Sequence, residues 1–388
     1  MFNINLALVG PVSSGKTTFL NTMLQTILSD MNVSRTTMLP QVFKETFHSP
    51  MINSPEHIRN VNREANENII SKKVQLTLEN CIEIEHYILK NNIMTLPNNV
   101  YLNIYDLPGL NDAETEDIYF EYLKGSMHKF DIIVLIVDIK DAFTTSSGPP
   151  KILTNVCNYI KSQSHKYKLI VLINKCDDME IQPQSTRLIL HQEYYDIYTK
   201  AVEFIENKTK DIPNLETRIL PIATEDAFIC RLYKKNPQIQ LDSKYLNRYG
   251  VNEMGKSKWG RLSPNEKKDY VLKNMTTENY QEQLIRSGFY GFQETLRNDL
   301  LNKNNQREIC EYRLKDEVEL LPPVIKYDIE TLQTYISEVN KLNDKCNKIL
   351  NVYKSISDNC LSKIINDFKK YFNSMCIQIV DIKSDSDR

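Results

Sequence analysis

Residues 10–17 read Gly-Pro-Val-Ser-Ser-Gly-Lys-Thr, which fits the spacing G-x-x-x-x-G-K-[ST] of a phosphate-cradling loop. The apolar run of Ile4, Leu6, Ala7, Leu8 and Val9 just before it has the length of a buried strand. Just after it, Phe19, Leu20, Met23, Leu24, Ile27 and Leu28 recur at helical spacing. Strand, glycine loop and helix in that order confine the chain to folds in which a strand feeds a helix whose N-terminus faces a ligand. Gly10 and Gly15 let the backbone curl so that loop N–H groups point inward at phosphate oxygens, and the helix dipole adds to their field. Lys16 is expected to reach the β- and γ-phosphates and the Thr17 hydroxyl to bind Mg²⁺. Ser13, Ser14 and Thr18 complete the expected phosphate-binding set.

Three further anchors say which nucleotide the loop would take. In residues 101–105, Tyr101, Asn103 and Tyr105 alternate with Leu102 and Ile104, the pattern of a strand. It ends in Asp106-Leu107-Pro108-Gly109, a D-x-x-G in which Asp106 can hold Mg²⁺ through water and the Gly109 N–H can sense the γ-phosphate. The apolar run 168–173 ends in Asn174-Lys175-Cys176-Asp177, the N-K-x-D box that reads guanine. A carboxylate at Asp177 can accept both N1–H and the N2 amino group of guanine, which adenine does not offer. Asn174 and Lys175 are expected to tie the loop together and cover the base. A weaker signal places the Ala223 N–H, after the strand expected at 217–222, near guanine O6. About twenty residues past the loop, Thr37 is the preferred switch threonine for Mg²⁺ and the γ-phosphate, with Thr36 as the alternative.

Strands alternating with helices predict an α/β fold with a mostly parallel central sheet, its ligand loops at the carboxyl ends of the strands. The continuous apolar run 131–138 is what a strand covered on both faces looks like. Helices are expected near 55–73, 117–127, 149–162 and 192–210, and a closing helix near 287–301. Residues 234–283 turn polar and read as an insertion beside the nucleotide site or at a partner surface. Within it Ser263 and Glu266 form a capping box. Beyond residue 303, Ile325, Ile329, Leu332, Ile336 and Val339 begin a heptad-like stripe. It predicts a long helix and, near 361–379, a second that folds back on it.

At 388 residues two domains are expected: a nucleotide domain over 1–303, and a helical hairpin or bundle over 304–388 that offers an effector surface. A net charge of −2 gives no electrostatic case for nucleic acid as a partner. Eight cysteines without a C-x-x-C pair argue against a disulfide framework or zinc site and suit a reducing cytosol. Met1 leads almost at once into the first strand, and no apolar run approaches the roughly 18 residues of a membrane span. The expectation is a soluble cytoplasmic protein.

On the 10–17 loop, residues 36–40, residues 106–110 and the segment 288–301, the chain resembles the dynamin superfamily of large GTPases over residues 1–303. That resemblance implies a Mg²⁺-dependent GTPase binding GTP and GDP, with hydrolysis completed by dimerisation of two G domains across the nucleotide. Leu110 stands where Ras-type GTPases carry the glutamine that orients water, and dynamin-like proteins are similar in having an apolar residue there. Ser13 matches the family serine that holds a charge-compensating K⁺ or Na⁺. Lys16, Thr37 and Gly109 match its other catalytic positions. Val12 departs from the family's usual polar residue, and Val12 and Leu110 together motivate the alternative of a GTP-gated scaffold with little hydrolysis. Arg35 reads as a solvated switch arginine or an arginine finger. An ATP-dependent enzyme is a third reading, resting only on the generality of the loop. At 388 residues the sequence is shorter than the family's full stalk and lipid-binding domain would need, so membrane association is left open.

Overall fold

A computed structural model of the chain describes residues 2–28, 37–71, 73–90, 96, 100–111, 114–141, 143, 148–163, 166–177, 179–183, 185–239, 243–276, 279–301 and 305–312, together with scattered positions between 334 and 374. Thr36 and Arg35 lie outside them, as do most residues of the two helices expected after residue 322. The chain divides into two compact units, Met1–Ile309 and Cys310–Arg388. In the second unit, residues 340–345 are helical and exposed where their burial is described. Among the described residues no helix is long and apolar enough to cross a membrane.

The first unit opens with β1 (Phe2–Val9), α1 (Lys16–Leu24), β2 (Gln41–Thr46), α2 (Pro55–Ile70), β3 (Ile84–Leu89) and β4 (Val100–Asp106). It continues with α3 (Glu116–Ser126), β5 (Ile132–Asp138), α4 (Pro149–Lys161), β6 (Tyr167–Asn174), a small hairpin of β7 (Glu180–Ile181) and β8 (Leu188–Ile189), α5 (Gln192–Thr209) and β9 (Leu215–Ile222). Six helices follow: α6 (Thr224–Lys235), α7 (Ser243–Met254), α8 (Lys256–Trp259), α9 (Pro264–Thr276), α10 (Tyr280–Arg286) and α11 (Phe289–Leu301). Seven strands form one sheet in the order β3-β2-β4-β1-β5-β6-β9. From β4 to β9 all neighbours are parallel; β2 pairs antiparallel with β4, and β3 pairs parallel with β2. The mostly parallel α/β sheet predicted from the motif order is therefore present.

Helices cover both faces of the central strands, so the apolar runs of β1, β5 and β6 divide residue by residue between two cores. Ile4, Leu6 and Leu8 of β1, Ile132, Val134 and Ile136 of β5, and Ile170 and Leu172 of β6 pack on one side with Phe19, Phe228 and Phe292. Their neighbours Ala7, Val9, Ile133, Leu135, Val137, Val171 and Ile173 face α3, α4 and α5 on the other. This is the period-two alternation of a doubly covered sheet.

Two buried polar devices fix the elements around the site. Helix α1 ends beneath α6, whose buried Arg231 donates from Nε to Thr22 O at 2.8 Å and from Nη2 to Met23 O at 3.3 Å. The guanidinium lies 4.6 Å from the Phe289 ring centroid. A cation is thus set on carbonyls of the last turn of α1, where the helix dipole favours positive charge. At the β3–β2 edge of the sheet, the sequence predicts a polar helix to about residue 73 that belongs to an insertion or switch segment. The structure makes α2 the crossover between the parallel strands β2 and β3. Its Asn62 Oδ1 accepts from Gln41 Nε2 at 3.3 Å, and Gln41 Oε1 lies 2.6 Å from His86 Nε2 of β3. Because Gln41 uses its amide nitrogen on Asn62, its oxygen accepts and His86 carries its proton on Nε2. The region read as a polar insertion is a helical arm, α7 to α10, whose Tyr245, Tyr249, Trp259, Val271 and Leu284 join the α6 side of the core. The Ser263–Glu266 capping box forms there, with Ser263 N–H donating to Glu266 Oε2 at 2.8 Å and Glu266 N–H to Ser263 Oγ at 3.4 Å.

Arg231→Met should lower unfolding stability by about 2–4 kcal/mol, because it strips charge-assisted bonds from two buried carbonyls; the urea midpoint reads the effect. His86 is held down to about 4 from an ordinary 6.5, first by burial and then by the nearby His57. Its folded-state pKa lies below the unfolded one, so this contribution is complete above about pH 6.5 and is lost as pH falls toward 4, up to about 3 kcal/mol. His86→Gln, which can bond Gln41 without titrating, should flatten that part of the stability–pH curve.

Candidate functional site

The 10–17 loop leaves β1 between the ends of β5 and β6, and its glycines are required by what passes close to them. A Cβ on Gly10 would lie 2.2 Å from the Ile136 carbonyl oxygen of β5. Gly15 has φ +99°, and a Cβ there would lie 2.2 Å from Asn174 Nδ2. Asn174 is buried and donates from Nδ2 to Ser14 O at 2.8 Å. Its Oδ1 accepts from Thr224 N–H at 3.1 Å and from Thr224 Oγ1 at 2.6 Å. One amide therefore joins the loop after β1, the end of β6 and the turn from β9 into α6. Lys16, Thr17 and Thr18 form the first turn of α1. The Lys16 ammonium donates to Gly10 O at 2.9 Å and Pro11 O at 2.7 Å, and burial lowers its pKa to about 8 against the pull of Asp106. Ser13 sits exposed on the rim with φ +61°.

Asp106 ends β4 fully buried, and burial raises its carboxyl to about 6 although Lys16 and a hydrogen bond from Thr37 both pull the other way. Thr37 Oγ1 donates to Asp106 Oδ2 at 3.0 Å, while Asp106 Oδ1 is buried with no hydrogen-bond partner. The Ser14 hydroxyl is likewise buried and without a hydrogen-bond partner. An orphaned carboxylate oxygen beside a hydroxyl fits a hard cation that takes only one or two protein oxygens. Beyond Asp106 the chain folds back onto the loop. The Leu110 N–H donates to Gly10 O at 3.2 Å, and the Val12 N–H donates to Asn111 Oδ1 at 2.6 Å. A Cβ on Gly109 would meet Val12 Cγ2 at 2.4 Å and Val12 N at 2.8 Å. Leu110 is buried. The Asn111 contact had no sequence signal beyond its place after Leu110.

At the other end, Lys175 turns the chain with φ +64° and its ammonium pairs with Asp138 at the end of β5. Asp177 Oδ1 accepts from Arg248 Nη2 of α7, and Arg248 Nη1 donates to Glu225 Oε2 of α6. Sequence reasoning missed Arg248, because it lies in a polar stretch with no motif around it. The Ala223 N–H donates to Ser287 O at 2.9 Å, so a contact from it to a base requires that bond to open. Gly288, with φ +77°, packs so closely on β9 that a Cβ would lie 2.2 Å from Pro221 O.

The profile of the Dynamin family matches residues 6–175, which run from β1 to the Asn174–Lys175 turn and make up less than half of the chain. The match and the sheet support a P-loop GTPase-like α/β fold of dynamin-related type. Protein R618 of Acanthamoeba polyphaga mimivirus is 25% identical over 241 residues, which cover 58% of this chain and 38% of that one. Among solved structures, a tyrosine-to-alanine variant of Era from Aquifex aeolicus bound to GDP and AlF₄⁻ is 19% identical with a TM-score of 0.30, covering 58% of this chain and 52% of its own. A chain of an oligomerised bacterial dynamin pair, described as sensing and tethering membranes over long range, is 17% identical with a TM-score of 0.33, covering 87% of this chain and 48% of its own. The chain thus spans about half or less of the length of these relatives.

Gly109→Ala should cost about 1–3 kcal/mol, because its Cβ presses on Val12 backbone that cannot rotate away; chemical denaturation measures it.

Proposed function

We propose that this protein binds GTP and GDP with Mg²⁺ and hydrolyses GTP, with turnover assisted by a nucleotide-dependent homodimer of the domain that carries the 10–17 loop. The observation that carries the reading is the Asn174 amide, which ties the phosphate loop to the strand end bearing Asp177. Phosphate and base contacts are thereby held in one frame. A triphosphate entering the loop would exchange the Gly10 and Pro11 carbonyls on Lys16 for phosphate oxygens, a charge-assisted replacement. Gly10, Ser13, Ser14, Gly15, Thr17 and Thr18 would line the phosphates. Thr17, Thr37 and Asp106 would hold Mg²⁺, and the orphaned Asp106 oxygen supports that assignment. When bound, Mg²⁺ neutralises charge on the β- and γ-phosphate oxygens.

Hydrolysis would be in-line attack of water on the γ-phosphate, with Lys16, Thr37 and the Gly109 N–H stabilising the transition-state charge. Buried Leu110 offers no polar group to that water. Its orientation is assigned to loop and switch atoms, completed by a second copy and by a K⁺ or Na⁺ near Ser13. Asp177 would read guanine N1–H and N2, while Asn174, Lys175 and Ala223 shape the base end. A GTP-gated scaffold with little hydrolysis is the second reading, and the Val12–Asn111 hydrogen bond favours it, because it ties the switch to the loop.

Lys16→Ala should weaken GTP binding by roughly a hundredfold or more while leaving the circular dichroism spectrum unchanged. Wild-type binding in that variant would sink the proposal. Single-turnover hydrolysis that rises with protein concentration and with K⁺ or Na⁺ marks the hydrolase, and flat, negligible turnover marks the scaffold. GTP should outcompete ATP for the site.

A further inference from the structure

Asp177 is already engaged by a planar N–H donor. Arg248 of α7 bridges it to Glu225 of α6, in ion pairs whose side chains are 25–36% exposed. Burial pulls the Arg248 pKa down, but Asp226, Asp177 and Glu225 together outweigh it and raise it, so the side chain stays charged. The chemistry of the pairing bears on the ligand. The N1–C2–N2 fragment of guanine is itself a guanidine, and its adjacent N–H groups are what a carboxylate can read. The guanidinium of arginine presents the same kind of planar donor fork.

We propose that Arg248 is a tethered stand-in for the base, holding the Asp177 carboxylate in this structure and giving it up when guanine binds. The inference rests on Asp177 being the guanine reader. The exchange is close to balanced: Asp177 trades one set of charge-assisted bonds for another, and Arg248 keeps Glu225 and the field of Asp226. Two consequences follow. The affinity for guanine nucleotide carries the cost of displacing the arginine, as for any binder whose competent state is only partly populated. And α7 is released from the β6 loop when the base arrives, so the arm registers base occupancy.

The arm contains its own reporter. Trp259 in α8 is the chain's single tryptophan and is buried. Its Nε1 donates to Oδ1 of Asn247, the residue before Arg248, at 2.8 Å. Its ring packs so closely on α7 that a Cβ on Gly250 would lie 2.2 Å from it. A shift of α7 must therefore change the surroundings of the indole.

The test titrates the full-length protein with GDP and Mg²⁺ while following Trp259 fluorescence, with affinity measured separately by calorimetry. Asp177→Asn examines the base reading first. Xanthine carries an oxygen in place of the 2-amino group, so the asparagine variant should shift preference from GDP to xanthosine diphosphate. No shift would mean that Asp177 does not read the base, and both readings fall. With the shift present, Arg248→Gln should bind GDP about threefold to tenfold more tightly and lose the Trp259 response. Urea midpoints establish that the variant remains folded. Equal or weaker binding by Arg248→Gln, or an undiminished Trp259 response, would overturn the stand-in role while leaving guanine recognition intact.

Discussion

Asn174 sits where three strand ends meet, and the placement of everything around the candidate site passes through its amide. Its partners are far apart in sequence: Ser14 on the loop after β1 and Thr224 at the start of α6. Each bond is buried, so losing the side chain would strand a carbonyl, an amide and a hydroxyl away from water, at about 1–3 kcal/mol for each group. The close approach exists only because Gly15 has no Cβ. A residue that the motif assigns to base recognition thus also fixes the phosphate loop. On the proposed function, recognition of the two ends of a nucleotide becomes a property of one rigid frame.

Within that frame the phosphate end holds opposite charges under desolvation. Burial pushes Lys16 down to about 8 and Asp106 up to about 6, each against the attraction of the other. Both groups are therefore held out of water with incomplete compensation: Lys16 on two loop carbonyls, Asp106 with one oxygen unpartnered. A polyanion for the lysine and a divalent cation for the carboxylate would supply what each lacks. The same logic accounts for Thr37 lying against Asp106: a hydroxyl can satisfy one carboxylate oxygen and still leave the other available.

How far the sequence reveals this depends on whether a constraint is local. The loop, the strand ending at Asp106 and the strand ending at Asn174 were legible because each couples a spaced motif to a continuous apolar run. β3 carried no assignment at the sequence level, and its pattern explains why. Its inward positions include His86, so apolar alternation is broken by a residue whose burial makes sense only once Gln41 and Asn62 are beside it. The 234–283 stretch read as a polar insertion because α7 to α10 each bury only a narrow face, and their aromatic contacts come from one another and from α6. Arg231 and Arg248 were invisible for the same reason. An arginine is an ordinary surface residue until the carbonyls or carboxylates it serves are brought to it by the fold.

The two ends of the site are secured by different physics, and this bears on what a bound ligand can change. The loop side is held by short, buried, neutral bonds from Asn174, whose rearrangement would leave polar groups stranded. The side of Asp177 is held by ion pairs a quarter to a third exposed, where water and competing donors can replace a partner at little net cost. A perturbation entering such a frame is transmitted where the bonds exchange easily and resisted where they do not. Ligand-dependent movement is therefore expected to concentrate in the arm attached through Arg248, while the phosphate loop and the strands beneath it stay in place.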